Sequence, residues 1–208
     1  MQSRVAPSVL TVAGLQVFCG VSMINITCTA REGTSKGNVR RLRRNGSLPI
    51  VVYSKGQMAQ SGTVLKADIE AAMRSIRPGF LTTTVFVLKD ETGRERKVLV
   101  KEVQYKSTTY DLVHLDFFEL EEGRKIDVKV PVEFDNAAEC VGVKLGGQLR
   151  HIMRHVKVRC EPANIPSHFS VDVKELAMHQ TKRVRDITIP PFVTCLAHTD
   201  DVIVAVLK

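Results

Sequence analysis

The chain has 208 residues, of which 44% are hydrophobic and 25% charged, proportions that exclude wholesale disorder, a collagen-like chain and a multi-span membrane protein. Aromatics are 5% with no Trp, so a core has to be built from Val, Ile and Leu. Thirty Lys and Arg face 22 Asp and Glu, and the whole excess of +8 lies ahead of residue 118, with residues 118–208 neutral. Such a distribution predicts a footprint for an anionic partner on the first part of the chain only.

Residues 1–22 hold Arg4 and an apolar run broken at Gln16, without a clean small-residue cleavage site. The run is too short and interrupted for a membrane span and a poor signal peptide. Met23 directly precedes an alternating strand (Ile24, Ile26, Cys28), so 1–22 reads as a non-functional extension, either disordered or the product of a mis-assigned start. Residues 33–37 form a loop, and Asn38 caps a short helix with Val39 and Leu42 inward and Arg40, Arg41 and Arg44 outward. Asn45-Gly46 ends it, and 49–53 is a buried strand. Ile69, Ala72, Met73 and Ile76 give a helix over 66–77, stopped by Pro78-Gly79. Strands follow over 83–89, 96–105 and 110–118, and the acidic turn at 119–123 marks a boundary between domains 23–118 and 119–208. The second domain reads as β-rich, with strands at 126–132, 156–160, 170–173, 188–190 and 202–207. A loop at 142–147 and a short helix near 173–176 complete it.

The strongest chemical signal is Ser35-Lys36-Gly37-Asn38-Val39-Arg40-Arg41-Leu42-Arg43-Arg44. Residues 31–44 carry six basic side chains and one acidic. A glycine-hinged loop running into a basic helix suits phosphate, and Arg forks suit phosphate or base edges. An ordinary solvated helix face is the competing reading, disfavoured by the lack of balancing acids. In a strand, His114 and Asp116 share one face and Leu115 and Phe117 the other. As a hydrolase pair they lack a nucleophile motif, and as a metal site they lack further ligands. On an RNA-binding face the carboxylate helps only by accepting from a base amino group or by orienting a basic side chain. A surface hydrogen-bonded pair is the plain alternative. His151 and His155 could chelate a metal on a helix, but Arg150, Arg154 and Lys157 oppose a cation there. Gly146-Gly147 has neither P-loop nor dinucleotide spacing. Five scattered cysteines (19, 28, 140, 160 and 195) fit a reducing cytoplasm and give no disulfide framework.

Several motifs in one order carry a family resemblance: Ala30-Arg31, Lys36-Gly37, Arg40-Arg41-Leu42-Arg43, Leu48-Pro49 and Val52-Tyr53 in the basic region. They continue with Lys101-Glu102-Val103-Gln104, His114-Leu115-Asp116-Phe117, Val130-Pro131-Val132, Gly142-Val143-Lys144, Asn164-Ile165-Pro166 and Val171-Asp172-Val173. Over residues 24–207 the chain resembles the bacterial large-subunit ribosomal protein numbered twenty-five, in the longer form also called the general stress protein CTC. The resemblance implies a mainly β fold, with an N-terminal β-barrel similar to the anticodon-binding domain of glutaminyl-tRNA synthetase and a second β-rich domain. It implies binding to 5S rRNA at the irregular loop-E helix, with contacts at Arg31, Lys36, the basic helix (Arg40, Arg41, Arg43, Arg44), Tyr53, Gln104, His114 and Asp116. Irregular RNA helices open their grooves, so such side chains can reach base edges. The sequence departs from the family at Val39, where Ser is usual, at Ser54, where Gly commonly follows the Tyr, and at Lys208, which ends the chain without an acidic tail.

The expectation is therefore a ribosomal structural protein that partners 5S rRNA and large-subunit rRNA and proteins. It is cytoplasmic, has no membrane, metal or cofactor, and is monomeric off the ribosome. An RNA-binding stress factor acting off the ribosome is the alternative within binding proteins, and a hydrolase using His114 and Asp116 the alternative outside them.

Overall fold

A computed structural model describes residues 11–12, 15–16, 24–31, 35–54, 56 and 58–208. Apart from the short ladder of β1 (Thr11–Val12) with β2 (Leu15–Gln16), the expected extension over 1–22 lies outside the described residues. The chain divides into two compact units, Val21–Arg124 and one containing Lys125–Lys208.

The first unit is a closed six-stranded barrel in the order β3-β5-β4-β8-β7-β6. Its strands are β3 (Ile24–Ala30), β4 (Ser47–Tyr53), β5 (Gln60–Leu65), β6 (Val85–Asp90), β7 (Glu95–Tyr105) and β8 (Leu112–Glu119). The pairs β3–β6 and β4–β8 are parallel and the rest antiparallel, and closure leaves no free edge. Alternation sends Ile26, Leu48, Ile50, Phe86, Leu88, Val98, Val100, Leu115 and Phe117 into one core.

β5 has no expectation behind it. Gln60-Ser61-Gly62-Thr63 is polar, and what places it in the barrel is close packing: a Cβ on Gly62 would lie 2.7 Å from Cys28 Sγ. Helix α1 spans Lys36–Arg44 and starts from Ser35, not Asn38, so Gly37 and Asn38 lie inside its first turn. Gly46, at φ 75°, donates its N–H to the Arg43 carbonyl at 3.3 Å and closes the helix as expected. Helix α2 (Lys66–Ser75) buries Ile69 and Ala72 and stops earlier than expected, because Ile76 already has extended backbone ahead of Pro78. The strand expected from Tyr110 starts at Leu112, since Tyr110 has φ 55° and closes the turn with its N–H on the Lys106 carbonyl at 2.8 Å.

The second unit holds a four-stranded sheet ordered β12-β9-β11-β14 and a three-stranded sheet ordered β10-β15-β13. The strands are β9 (Ile126–Asp135), β10 (Gln148–His151), β11 (His155–Cys160), β12 (Phe169–Asp172), β13 (Thr181–Arg183), β14 (Thr194–Cys195) and β15 (Val202–Leu207). Thr188–Pro190, expected as a strand, is irregular, whereas β13, which was not expected, pairs with β15. The expected loop at 142–147 contains one helical turn, α3 (Val141–Lys144). A Cβ on Gly142 would fall 2.8 Å from Val206 Cγ1 and 3.0 Å from the Leu176 carbonyl oxygen, so the turn docks by backbone approach. Residues 173–176 form a turn rather than a helix. Among the described residues no helix is long and apolar enough to cross a membrane.

Candidate nucleic-acid interface

Two bulges shape the outer face of β7 and β8. The pairing runs Val98↔Glu119, Leu99↔Phe118 and Val100↔Phe117, skips Lys101, and resumes as Glu102↔Asp116, Val103↔Leu115 and Gln104↔His114. A one-residue slip reverses every side chain beyond it. Val98 and Val100 face the core, whereas Glu102 and Gln104, at the same parity, are exposed outside and Val103 turns in. The Lys101 bulge therefore brings Gln104 onto the face that carries His114 and Asp116. Sequence alternation did carry this signal: the apolar positions move from 98 and 100 to 103.

The second bulge lies at Val113, which is skipped between Gln104↔His114 and Tyr105↔Leu112. Its carbonyl accepts two hydrogen bonds from Arg43, from Nε at 3.2 Å and Nη2 at 3.0 Å. One guanidinium thus ties the last turn of α1 to the residue before His114. Arg43 is set apart by this from the other arginines. Arg40, Arg41 and Arg44 are exposed and have no side-chain partner among the described residues, and Lys36 is exposed at the start of the helix. No residue of α1 is fully buried, and Val39 and Leu42 supply only a half-buried contact stripe. A helix held so lightly by apolar contact depends on the Arg43 fork for its orientation.

His114 Nδ1 lies 2.7 Å from Asp116 Oδ1, with both side chains about a quarter exposed (21% and 27%). The approach is off the hydrogen-bonding direction, and the buried Nδ1 has no hydrogen-bond partner. Gln104 Nε2 reaches Glu102 Oε1 only at 3.5 Å, leaving its amide available. Tyr53 sits edge-on to Phe118, with ring centroids 5.6 Å apart and planes at 77°. Burial, and then the charges of Asp116 and Glu102, push the Tyr53 phenol above its ordinary range. The same cluster holds Lys101, whose Nζ lies 5.3 Å over the Phe118 ring. Lys101 and Glu102 belong to a motif of the sequence but carry no expected site role there, since only the bulge brings them beside Tyr53 and Phe118.

Arg31 lies apart from this cluster, at the mouth of the barrel. It lines a pocket of about 290 Å³ with Cys28, Val52, Gly62, Leu88, Asp90 and Arg96, and its Nε and Nη1 are buried without a hydrogen-bond partner. Asp90 there pairs with Arg96. His151 and His155 fall on different strands, β10 and β11, rather than on one helix face, and no cluster of metal-ligating side chains occurs among the described residues.

Comparison with known proteins divides the chain in two. Residues 26–117 match the model of the ribosomal L25p family, and residues 125–208 match that of the C-terminal domain of ribosomal protein TL5. The large ribosomal subunit protein bL25 of Chlamydia pneumoniae is 38% identical over 185 residues, covering 89% of this chain and all of that protein. The bL25 of Chlamydia trachomatis serovar A is 37% identical with the same coverage. That of Chlamydia abortus is 39% identical over 167 residues, 80% of this chain and 90% of that protein.

Proposed function

Because the chain belongs to the ribosomal L25p family, in the form that also carries a TL5-type C-terminal domain, we propose that it binds 5S rRNA at its irregular loop-E helix. At the coarser level it is a cytoplasmic structural protein of the large ribosomal subunit. The observation that carries the finer reading is the Arg43 fork on Val113, which holds a basic helix beside an outward-facing His114, Asp116 and Gln104.

In this reading Arg40, Arg41, Arg44 and Lys36 take phosphates, which position the RNA without reading it. Gln104 and Asp116 meet base edges in a widened groove, the amide as donor and acceptor and the carboxylate as acceptor from a base amino group. His114 and Tyr53 flank them. Arg43 orients the helix, and Arg31 contributes from the barrel mouth. His114 and Asp116 serve recognition rather than hydrolysis, and the protein is a monomer away from the ribosome.

Two substitutions test this. Arg44→Ala should weaken binding to 5S rRNA and to unrelated RNA alike, and flatten the salt dependence by about one phosphate contact. Asp116→Ala removes a negative charge, so simple electrostatics predicts tighter binding to any RNA. A base contact predicts instead a cost of roughly 1–3 kcal/mol for 5S rRNA with nonspecific binding unchanged or stronger. Equal or tighter 5S binding by the Asp116 variant, with its fold verified by circular dichroism, would remove the carboxylate from recognition.

A further inference from the structure

Where α2 packs on the barrel core, two aromatic rings stand largely outside that core. Tyr110 is 79% exposed and Tyr105 49%. Both line one groove of about 290 Å³, together with Met73 and Arg74 from α2 and the buried Leu112. Neither ring contacts another aromatic ring among the described residues. Tyr110 is also strained where it stands. Its φ of 55° is a left-handed conformation that Gly or Asn adopts more readily, and a ring so exposed gains little by burial to offset it.

The rim of the groove carries charge of both signs, but its carboxylates are engaged. Glu70 and Asp111 both pair with Lys66, at 3.5 and 3.0 Å, and Asp111 also accepts from Thr109 Oγ1. Thr109 and Lys66, and then Lys106, hold the Asp111 carboxyl below its usual range. Arg74 comes only within 3.7 Å of Glu70 and is 77% exposed, and Lys106 is exposed at the start of the turn that Tyr110 closes. Leu112, Val113 and His114 are consecutive, so the groove adjoins the carbonyl that anchors Arg43 and the face of His114 and Gln104. Flat aromatic faces beside cations suit a nucleobase, which stacks whatever its identity and brings phosphates on either side. An aliphatic side chain of a protein would use the apolar lining and leave the cations unmatched.

We propose that the groove between α2 and the β7–β8 turn takes a single unpaired RNA base, stacked on Tyr105 and Tyr110, with its flanking phosphates on Arg74 and Lys106. The proposal rests on the RNA-binding reading of the barrel and adds to it a site for a base that has left its helix.

The test uses the full chain with a short single-stranded oligoadenylate, and an RNA duplex of the same length for comparison. The chain has three Tyr and no Trp, so tyrosine emission reports stacking directly. The oligoadenylate should quench it and the duplex, whose bases are already stacked, should not. Tyr110→Asn removes the ring and suits the left-handed backbone, so the thermal midpoint should hold or rise and a weakened complex cannot come from lost folding. Its affinity for the oligoadenylate should fall about fivefold or more with the slope of log affinity on log salt unchanged, because a stacked base is lost and no phosphate contact. Tyr110→Phe keeps the ring and should bind within about twofold of the parent. Equal affinity of Tyr110→Asn and the parent overturns the proposal, and so does equal quenching by the duplex. Weaker retention of Tyr110→Asn on assembled large subunits, with oligoadenylate binding unchanged, overturns it too and assigns the groove to a protein. The 5S reading is decided separately, with 5S rRNA and at Asp116, so either can fail alone.

Discussion

In the first unit the basic side chains of the helix are neighbours along the chain before they are neighbours in space, whereas in the second Lys129 and Lys157 meet only through strand pairing. Arg40, Arg41 and Arg44 cluster because a helix returns every third or fourth residue to one side. Lys129 and Lys157 lie 28 positions apart and become direct partners only when β9 and β11 pair. Net charge per segment therefore describes the barrel correctly and misdescribes the second unit, where a balance of signs conceals a basic rung and, with Asp135 directly opposite Asp172, an acidic one. Charge is a property of surfaces, and a sum along the chain equals a surface charge only where the structure is local.

The sharpest way to test the separateness of the two units is Phe117→Ala. This ring is fully buried in the barrel core, packed edge-to-face on Phe86 with centroids 6.1 Å apart. Truncation should cost roughly 3–5 kcal/mol and abolish 5S binding at physiological temperature. Calorimetry should show the barrel transition falling while that of the second unit stays in place; a common shift of both would deny their independence.

Arg43→Ala should come next. It removes two charge-assisted hydrogen bonds, a change of about 1.5–3 kcal/mol, and frees α1 to swing away from β8. Affinity for 5S rRNA should then fall more than affinity for unrelated RNA, the reverse of the uniform loss expected at Arg44. Arg43→Lys should not restore it, since an ammonium cannot reproduce the planar fork. Equal losses on both RNAs, measured by filter binding, would make Arg43 just another phosphate contact.

Two glycines compare the packing of the units directly. Gly62→Ala in the barrel meets a side-chain sulfur, and Gly142→Ala in the second unit meets backbone as well as Val206. Each should cost about 1–3 kcal/mol, with Gly142 the larger because backbone cannot move aside. Adding Cys28→Ala should recover part of the Gly62 loss, whereas trimming Val206 should recover little at Gly142. Denaturant melts of the single and double variants decide it.

The smallest effect is spectroscopic. Tyr53 should ionise above the ordinary value of 10.0, since burial first and the Asp116 and Glu102 charges second disfavour the phenolate. Tyr105 should also titrate high, from burial alone. A raised native pKa means stability held below the unfolded value and lost as pH climbs through the native one, so the barrel should weaken in the alkaline range. Asp116→Asn should lower the Tyr53 midpoint part of the way and leave Tyr105 where it was, read from phenolate absorbance. If both move together, Asp116 does not face Tyr53.

Sequence by itself determined the β-rich class, the basic helix with its Asn45-Gly46 stop, most barrel strands, and the shared face of His114 and Asp116. These depend on periods of two and 3.6 residues and on turn chemistry, all local. It also placed most of the excess charge of the first part, because residues 31–44 hold six basic side chains against one acidic in a single stretch. Only tertiary structure decided the rest. β5 is too polar to announce itself and is held by the close approach of Gly62 to Cys28. The bulge at Lys101 turns Gln104 outward, and the one at Val113 offers the carbonyl that anchors α1. The Lys129–Lys157 rung exists only in the register of β9 on β11. Register, bulges and cross-strand neighbours depend on contacts between residues far apart in the chain. A pattern read along one strand has no access to what its partner will bring.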